Sequence, residues 1–347
     1  MLRLRHLIAP GFFLSLLLAA CVPHSMGPQS HFALGTICTV NLFEKGKPEL
    51  YGKVFSRLRE LEDIFSANKE GTDLDRINKN AGLAPVEAGS ELIEVLEKAL
   101  KYAEISGGFF DPSIGPLIKL WGIGTDTPRI PGEEEIRAAR ELINFRDIEI
   151  NHDERTVFLK RSGMALDLGA IAKGYAADEL SKLLVGEGVE RAIIDLGGDI
   201  FVMGERAGKG GGNWRIGIQD PLKERGVYLG VLGAKNRSVV TSGTYERFFE
   251  EGGKRYHHIF SVESGFPVEN GLLSVTVVSD KCADADALST AAFALGWERG
   301  RDLISQVSGA AGIFIFDDLT VRVTEGLESD FALTATEYVY IAFDALF

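Results

Sequence analysis

AIIDLGGDIFVM at Ala192–Met203, WRIGIQ at Trp214–Gln219 and VYLGVL at Val227–Leu232 are short apolar runs separated by glycine-rich or polar breaks. Runs of this length, rich in Ile and Val and bounded by turn residues, read as a meander of strands. The Gly208–Gly212 run between two of them reads as a flexible hairpin tip. Downstream, Ser238–Ser242, His257–Ser261 and Leu273–Val278 add strands, Asp284–Leu295 and Arg301–Ser305 are helical, and strands close the chain. Upstream, Asp147–Asn151 and Thr156–Arg161 make a hairpin that feeds an extended Ala165–Leu168 and then a helix over Ala170–Leu184. Consecutive strands with helices between the groups favour an α+β fold of mainly antiparallel sheets with packed helices over a doubly wound parallel one.

Nearer the N-terminus, alternation predicts a strand over His31–Phe43, and helical periodicity covers Glu49–Phe65. Ser90–Ser106 is a second amphipathic helix, with Ser90 as its cap and Gly107-Gly108 as its stop. GFFDPSIGPLIKLWGIG at Gly108–Gly124 contains Pro112 and Pro116, so it reads as a structured loop holding a short helix, before another helix at Glu133–Leu142.

Residues 1–20 carry Arg3 and Arg5, no acid, and an apolar run from Phe12 to Leu18 too short to span a bilayer. This is the pattern of a signal peptide. Its end, Leu18-Ala19-Ala20-Cys21, resembles a bacterial lipobox, which predicts lipidation of Cys21, a cell-membrane lipoprotein, and a domain facing the periplasm or another extracytoplasmic space. Residues 21–30, with Pro23, Gly27 and Pro28, then read as a tether. About 315 residues remain from His31 to Phe347, enough for one large domain or two intimate subdomains.

The formal net charge is −13, and loss of Arg3 and Arg5 takes it to −15. Such a surface repels nucleic acid and anionic headgroups, so a phosphate ligand has to be held locally. Besides Cys21 only Cys38 and Cys282 remain, too few for a disulfide framework and without zinc spacing; whether they pair is open.

Several segments carry candidate chemistry. In DLGAIAKGY at Asp167–Tyr175, an extended segment meets a helix start, an arrangement that can hold a pyrophosphate; Asp167 and Lys173 read either as ligand contacts or as a cap and a solvated cation. In the Cys282–Thr290 segment, Asp286 and Thr290 lie one helical turn apart. A carboxylate and a hydroxyl so placed can share a hard cation such as Mg²⁺, or simply cap the helix. His257 and His258 are adjacent, so alternation sends their rings to opposite faces and only one can face a site, as a general base or as a hydrogen-bonded structural group. Thr241-Ser242-Gly243-Thr244 reads as a hydroxyl-rich turn, either a phosphate contact or an ordinary turn, and Gly197-Gly198 reads as turn chemistry.

The ordered set LGT (Leu34–Thr36), FSAN (Phe65–Asn68), GGFFDPSIGPLIKLWGIG (Gly107–Gly124), DLGAIAKGYAAD (Asp167–Asp178), IDLGGD (Ile194–Asp199), TSGTYERFF (Thr241–Phe249), HHIFSVESGFPV (His257–Val268) and DADALST (Asp284–Thr290) resembles the ApbE family of FAD:protein FMN transferases. The resemblance implies Mg²⁺-dependent transfer of FMN from FAD to a Thr or Ser hydroxyl of a partner protein, with release of AMP. It implies metal binding by Asp286 and Thr290, helped by Ala170 and Ser289. It also implies a flavin pocket from Leu34, Asn68, Phe109, Phe110, Asp111, Asp167, Lys173, Ile259 and Phe260, with His258 as the base. Acceptors would be exported or membrane-bound redox proteins. An FAD pyrophosphatase giving FMN and AMP, or a lipoprotein that only binds FAD, are the alternatives. The chain departs from the usual family pattern at Leu34, at Asn68, and at Ser261-Val262 after the motif histidine.

Overall fold

The computed structural model describes residues 26–206 and 211–341. The expected signal segment, Cys21 and most of the Gly208–Gly212 tip lie outside the described residues. Among the described residues nine strands form the main sheet, in the spatial order Gln29–Ala33, Thr36–Leu42, Ala192–Leu196, Ile200–Met203, Arg237–Gly243, Leu272–Ser279, Ala311–Phe316, Thr320–Val323 and Val339–Ile341. Every pairing in it is antiparallel except the last, which joins Thr320–Val323 to Val339–Ile341. The α+β expectation holds, but the expected meander divides: Ala192–Met203 supplies two neighbouring strands of this sheet, and Trp214–Gln219 and Tyr228–Ala234 go to a second one.

The central strand Leu272–Ser279 is buried on both faces because both faces are covered. Val275 and Val277 point into a core shared with the helices, where Leu58, Leu180, Leu288 and Phe314 pack. Val278, with Ile313 and Ile315 of the neighbouring strand, packs on the opposite side against Trp214, Ile218 and Leu232. Those last three belong to a second sheet of Phe331–Leu333, Tyr228–Ala234 and Trp214–Gln219. Each fully buried Val or Ile in such a layer contributes about 1.5–3 kcal/mol. A smaller core around Leu117, Trp121, Ile136 and Phe260 holds the short helices Gly115–Trp121 and Glu133–Arg140.

Helices Ala172–Gly186 and Cys282–Ser305 pack against each other at their N-terminal ends. A Cβ at Gly174 would lie 2.3 Å from the Cys282 carbonyl oxygen, so only glycine permits the contact. Helix Cys282–Ser305 has no side-chain cap of its own. Asp178 supplies one from the other helix, its carboxylate accepting from Cys282 N at 2.9 Å and Ala283 N at 3.1 Å. A left-handed Gly296 (φ 76°) breaks the helix between the two segments expected from sequence.

Some expectations are corrected. His31–Phe43 is a hairpin, because Leu34 and Gly35 both take positive φ (53° and 69°) and reverse the chain. Within the segment expected to be a tether, a strand already begins at Gln29, and Gly27 O accepts from the Tyr51 hydroxyl at 3.0 Å. Gly89, not Ser90, is the cap of helix Ser90–Ile105. Ala165–Leu168 is extended but bridges only once, Ala165 to Ile114. His257–Ser261 is no strand, since the hairpin strand Lys254–His257 ends there and Gly265 N bonds back to Ser261 O at 2.7 Å. Thr241–Gly243 lies within strand Arg237–Gly243 rather than in a turn. Cys38 and Cys282 are free, buried thiols, and burial pushes Cys38 up to about 12.

Candidate active site

Five chain segments converge on a cavity of about 310 Å³. They are the hairpin turn at Gly35-Thr36, the Phe109–Ile114 loop, the Asp167–Lys173 segment, the Gly197–Asp199 turn and the stretch from Thr241 to Phe260; Asp286 and Thr290 of the long helix complete it. Of the residues singled out in the sequence, Phe109, Phe110, Asp111, Asp167, Ala170, Lys173, His258, Ile259, Phe260, Asp286 and Thr290 line this space.

Leu34, Asn68 and Ser289 do not line it. The Leu34 amide, beside the cavity, donates to Glu62 Oε1 at 2.7 Å. Asn68 is exposed in the loop after helix Pro48–Phe65. Ser289 is fully buried behind Thr290 and donates to the Asp286 carbonyl at 2.9 Å.

At the cavity floor, Lys173 Nζ is 2.6 Å from Asp199 Oδ2 and 3.7 Å from Asp286 Oδ2. The same Asp286 oxygen accepts from Gly174 N at 3.0 Å, so the tight helix contact at Gly174 also fixes this carboxylate. Burial, and then the neighbouring Asp199 carboxylate, push Asp286 well above the usual carboxylate range. Burial alone would lower Lys173, but Asp199 and Asp286 outweigh it and hold the ammonium above its ordinary value.

Two carboxylates facing one ammonium leave the floor short of positive charge. Beside them Ser242 Oγ lies 2.8 Å from Ser289 Oγ and 3.0 Å from Thr290 Oγ1. Among the described residues no group of three or more His, Cys, Asp or Glu side chains is placed to hold a metal. The donor set is therefore carboxylate plus hydroxyl oxygen. This suits a hard cation of the Mg²⁺ kind, which takes one or two carboxylates and fills its shell with water and substrate phosphate, and it does not suit zinc.

Asp167 is not a helix cap. Its Oδ1 accepts from Gly169 N at 2.8 Å, and the helix starts only at Ala172; burial raises its pKa. Asp111 is built into the loop instead. Its carboxylate accepts from the Ser113 amide, the Ser113 hydroxyl and the Phe145 amide, which fixes the neighbouring Phe109 and Phe110.

The two histidines separate, although His258 follows the end of strand Lys254–His257 rather than lying within a strand. His257 is buried, donates from Nε2 to Val268 O at 3.0 Å and accepts at Nδ1 from Ile259 N at 3.3 Å, so both ring nitrogens are occupied. His258 lines the cavity, and its Nδ1 lies 3.2 Å from the Arg247 carbonyl. A carbonyl only accepts, so Nδ1 carries the proton and Nε2 keeps a lone pair. Burial and the Arg247 guanidinium push the imidazole down to about 3, which leaves it neutral at neutral pH.

Thr241, Ser242 and Gly243, from the hydroxyl-rich segment singled out in the sequence, line the cavity too, and so do Asp199, Arg225, Glu246 and Arg247, which were not candidates from sequence. Asp199 had one signal, its place directly after Gly197-Gly198. That turn is more than punctuation, since a Cβ at Gly197 would meet Thr36 Oγ1 at 2.2 Å.

A profile described as the ApbE family matches residues 34–314. The chain belongs to the ApbE family. Among its relatives, the FAD:protein FMN transferase of Treponema pallidum (strain Nichols) is 38% identical over 314 residues, covering 86% of this chain and 87% of that protein. The FAD:protein FMN transferase of Klebsiella pneumoniae (strain 342) is 38% identical over 266 residues, covering 77% and 82%. Among solved structures, the ApbE protein of Thermotoga maritima superposes with a TM-score of 0.78 at 29% identity, over 86% of this chain and 96% of that one. The flavin transferase ApbE of Vibrio cholerae gives a TM-score of 0.77 at 25% identity, over 87% and 98%. The cavity of this ApbE-family chain draws on the Asp167, Asp286 and His258 segments, which carried the resemblance.

Proposed function

We propose that the protein binds FAD in this cavity and, with Mg²⁺, transfers its FMN moiety to a Thr or Ser hydroxyl of a partner protein, releasing AMP. The observation that carries this reading is the convergence of Lys173, Asp199, Asp286, Thr290 and a neutral His258 on one cavity.

The chain's own residues have distinct tasks. Lys173 meets phosphate charge, while Asp167 and the Phe109-Phe110 pair line the space available to the rest of the nucleotide. His258 Nε2 takes the proton from the acceptor hydroxyl. The hydroxyl oxygen bonds to the FMN phosphorus, the anhydride P–O bond breaks, and its electron pair leaves with AMP. Asp286 and Thr290, with Asp199 and Ala170 beside them, would hold Mg²⁺, which supplies neutralisation of the charge that builds on the pyrophosphate oxygens. A protein of net charge −13 needs such a cation to accept a pyrophosphate.

The same reading places the domain outside the cytoplasm, held by lipid at Cys21 beside exported or membrane-bound redox acceptors. Replacement of Cys21 by Ser should move the protein from the membrane fraction to the soluble one. The deciding experiment incubates the purified domain with FAD, Mg²⁺ and a candidate acceptor and looks for flavin fluorescence on the acceptor in a denaturing gel. Labelled acceptor supports the transferase. Free FMN and AMP with no labelled acceptor would replace it with a pyrophosphatase, and intact FAD would leave a binding protein.

A further inference from the structure

One turn of the cavity wall is held in a conformation that its sequence resists. Ala33 and Thr36 pair across the hairpin of Gln29–Ala33 and Thr36–Leu42, so Leu34-Gly35 is a two-residue loop, and both residues take positive φ (53° and 69°). Gly35 does so freely, whereas a Leu in the left-handed region brings its Cβ too close to the backbone carbonyl that follows. Strain of this kind persists only where surrounding contacts over-determine it, and it gathers at functional sites. The contact on the Leu34 amide is Glu62, whose Oε1 accepts from it at 2.7 Å.

Glu62 is itself placed against local preference. It lies in the last turn of helix Pro48–Phe65, Glu62-Asp63-Ile64-Phe65, where the carbonyl end of the helix disfavours a carboxylate. It is half-buried and stands outside the cavity, but what it holds is inside: Gly35 and Thr36 both line the space. Thr36 packs so closely on Gly197 that a Cβ there would lie 2.2 Å from Thr36 Oγ1, and the chain runs on from Gly197 to Asp199, the partner of Lys173. Arg247 approaches the same turn, since a Cβ at Gly35 would lie 3.9 Å from its Nη2. A shift of the Leu34-Gly35 turn therefore disturbs the wall where it meets the Asp199 turn and the Arg247 side chain.

We propose that Glu62 is a positioning residue for FAD binding: as acceptor for the Leu34 amide it holds the Leu34-Gly35 turn left-handed, and with it the part of the cavity wall formed by Gly35 and Thr36. The inference rests on the reading of the cavity as an FAD site and adds how that site is kept in shape from outside. The carboxylate acts here through one accepting oxygen rather than through its charge, which is a cost beside a pyrophosphate. A Gln side chain of the same length presents an equivalent oxygen. The role disappears where residue 34 needs no holding, because glycine takes positive φ without steric penalty.

The test is FAD affinity, measured by isothermal titration calorimetry on the protein with Mg²⁺ present, alongside the melting temperature of each variant. Glu62→Ala should weaken FAD binding about tenfold, the order of the cost of holding an L-residue left-handed. Glu62→Gln should weaken it about twofold or less, and Glu62→Asp, one methylene shorter, should behave as Ala rather than as Gln. In a Leu34→Gly background the same Glu62→Ala change should cost about threefold or less, which closes a double-mutant cycle on the pair. An equal loss in both backgrounds would show that Glu62 does not act through residue 34 and would overturn the proposal. Parental affinity with a lowered melting temperature in Glu62→Ala would reduce the bond to a tie within the hairpin and overturn it too, as would equal losses for Ala and Gln. No binding of FAD by the unsubstituted protein would overturn the FAD site itself and this inference with it.

Discussion

Lys173 and Asp199 form a buried ion pair at the cavity floor, Nζ to Oδ2 2.6 Å, with the Asp286 carboxylate 3.7 Å from the same nitrogen. One ammonium thus serves two carboxylates that come from a turn after strand Ala192–Leu196 and from helix Cys282–Ser305.

Removing that ammonium should be costly without ligand and less so with a cation. Breaking a buried pair by deleting one partner costs about 3–5 kcal/mol, because the remaining charge is left uncompensated. Lys173→Met should lower the melting temperature, and Mg²⁺ should recover more of the loss in the variant than it adds to the parent. Equal Mg²⁺ effects on the two proteins, measured by differential scanning calorimetry, would count against cation binding at this floor.

Asp286→Ala should reduce FAD turnover at least 100-fold, equivalent to about 2.7 kcal/mol of barrier, since it deletes the main carboxylate proposed for the cation. Excess chelator should silence the parent enzyme to the same degree. A variant that turns over FAD at the parental rate would leave Asp286 as no more than an acceptor for Gly174 N.

His258 gives a pH signature with a definite sign. Its ordinary value is 6.5, and in the folded protein it is pushed down to about 3. Between those values the unfolded chain binds a proton that the folded chain refuses, so stability falls as pH drops from 6.5 toward 3. His258→Gln removes this share. The parent should therefore lose more melting temperature than the variant between pH 7 and pH 4, while transfer by the variant falls at least 100-fold at pH 7. Parallel melting curves across that range would show that the imidazole is not held neutral by the fold.

Gly174→Ala should destabilise by about 1–3 kcal/mol through overpacking. The new Cβ would meet backbone at Cys282 O, 2.3 Å, and Cys282 C, 2.6 Å, which a side-chain rotation cannot relieve. Because Gly174 N also holds Asp286 Oδ2, activity should fall further than stability alone explains, and urea denaturation with initial rates on folded enzyme separates the two.

The sequence was most legible where a local pattern sufficed. Helix Pro48–Phe65 and strand Leu272–Ser279 follow periodicity, and the kink at Gly296 falls between the two expected helical segments. It was least legible where the backbone did something a pattern does not encode. Leu34 accepts a positive φ that makes a hairpin of an apparent single strand. Asp178 caps a helix more than 100 residues away in sequence, and so fills the capping role that was the alternative reading of Asp286.

By itself the sequence determined the α+β class, the pairing of Asp286 with Thr290 one turn apart, and the rule that only one of His257 and His258 can face a site. These are consequences of helical and extended geometry, fixed within a few residues. Only the tertiary structure decided that His258 is that residue, that its proton sits on Nδ1, and that Asp199 joins Lys173 and Asp286. Those depend on Arg247 O, on burial, and on the close approach at Gly174, all contacts between segments far apart in the chain, where desolvation and a neighbouring charge, not residue type, set what each group can do.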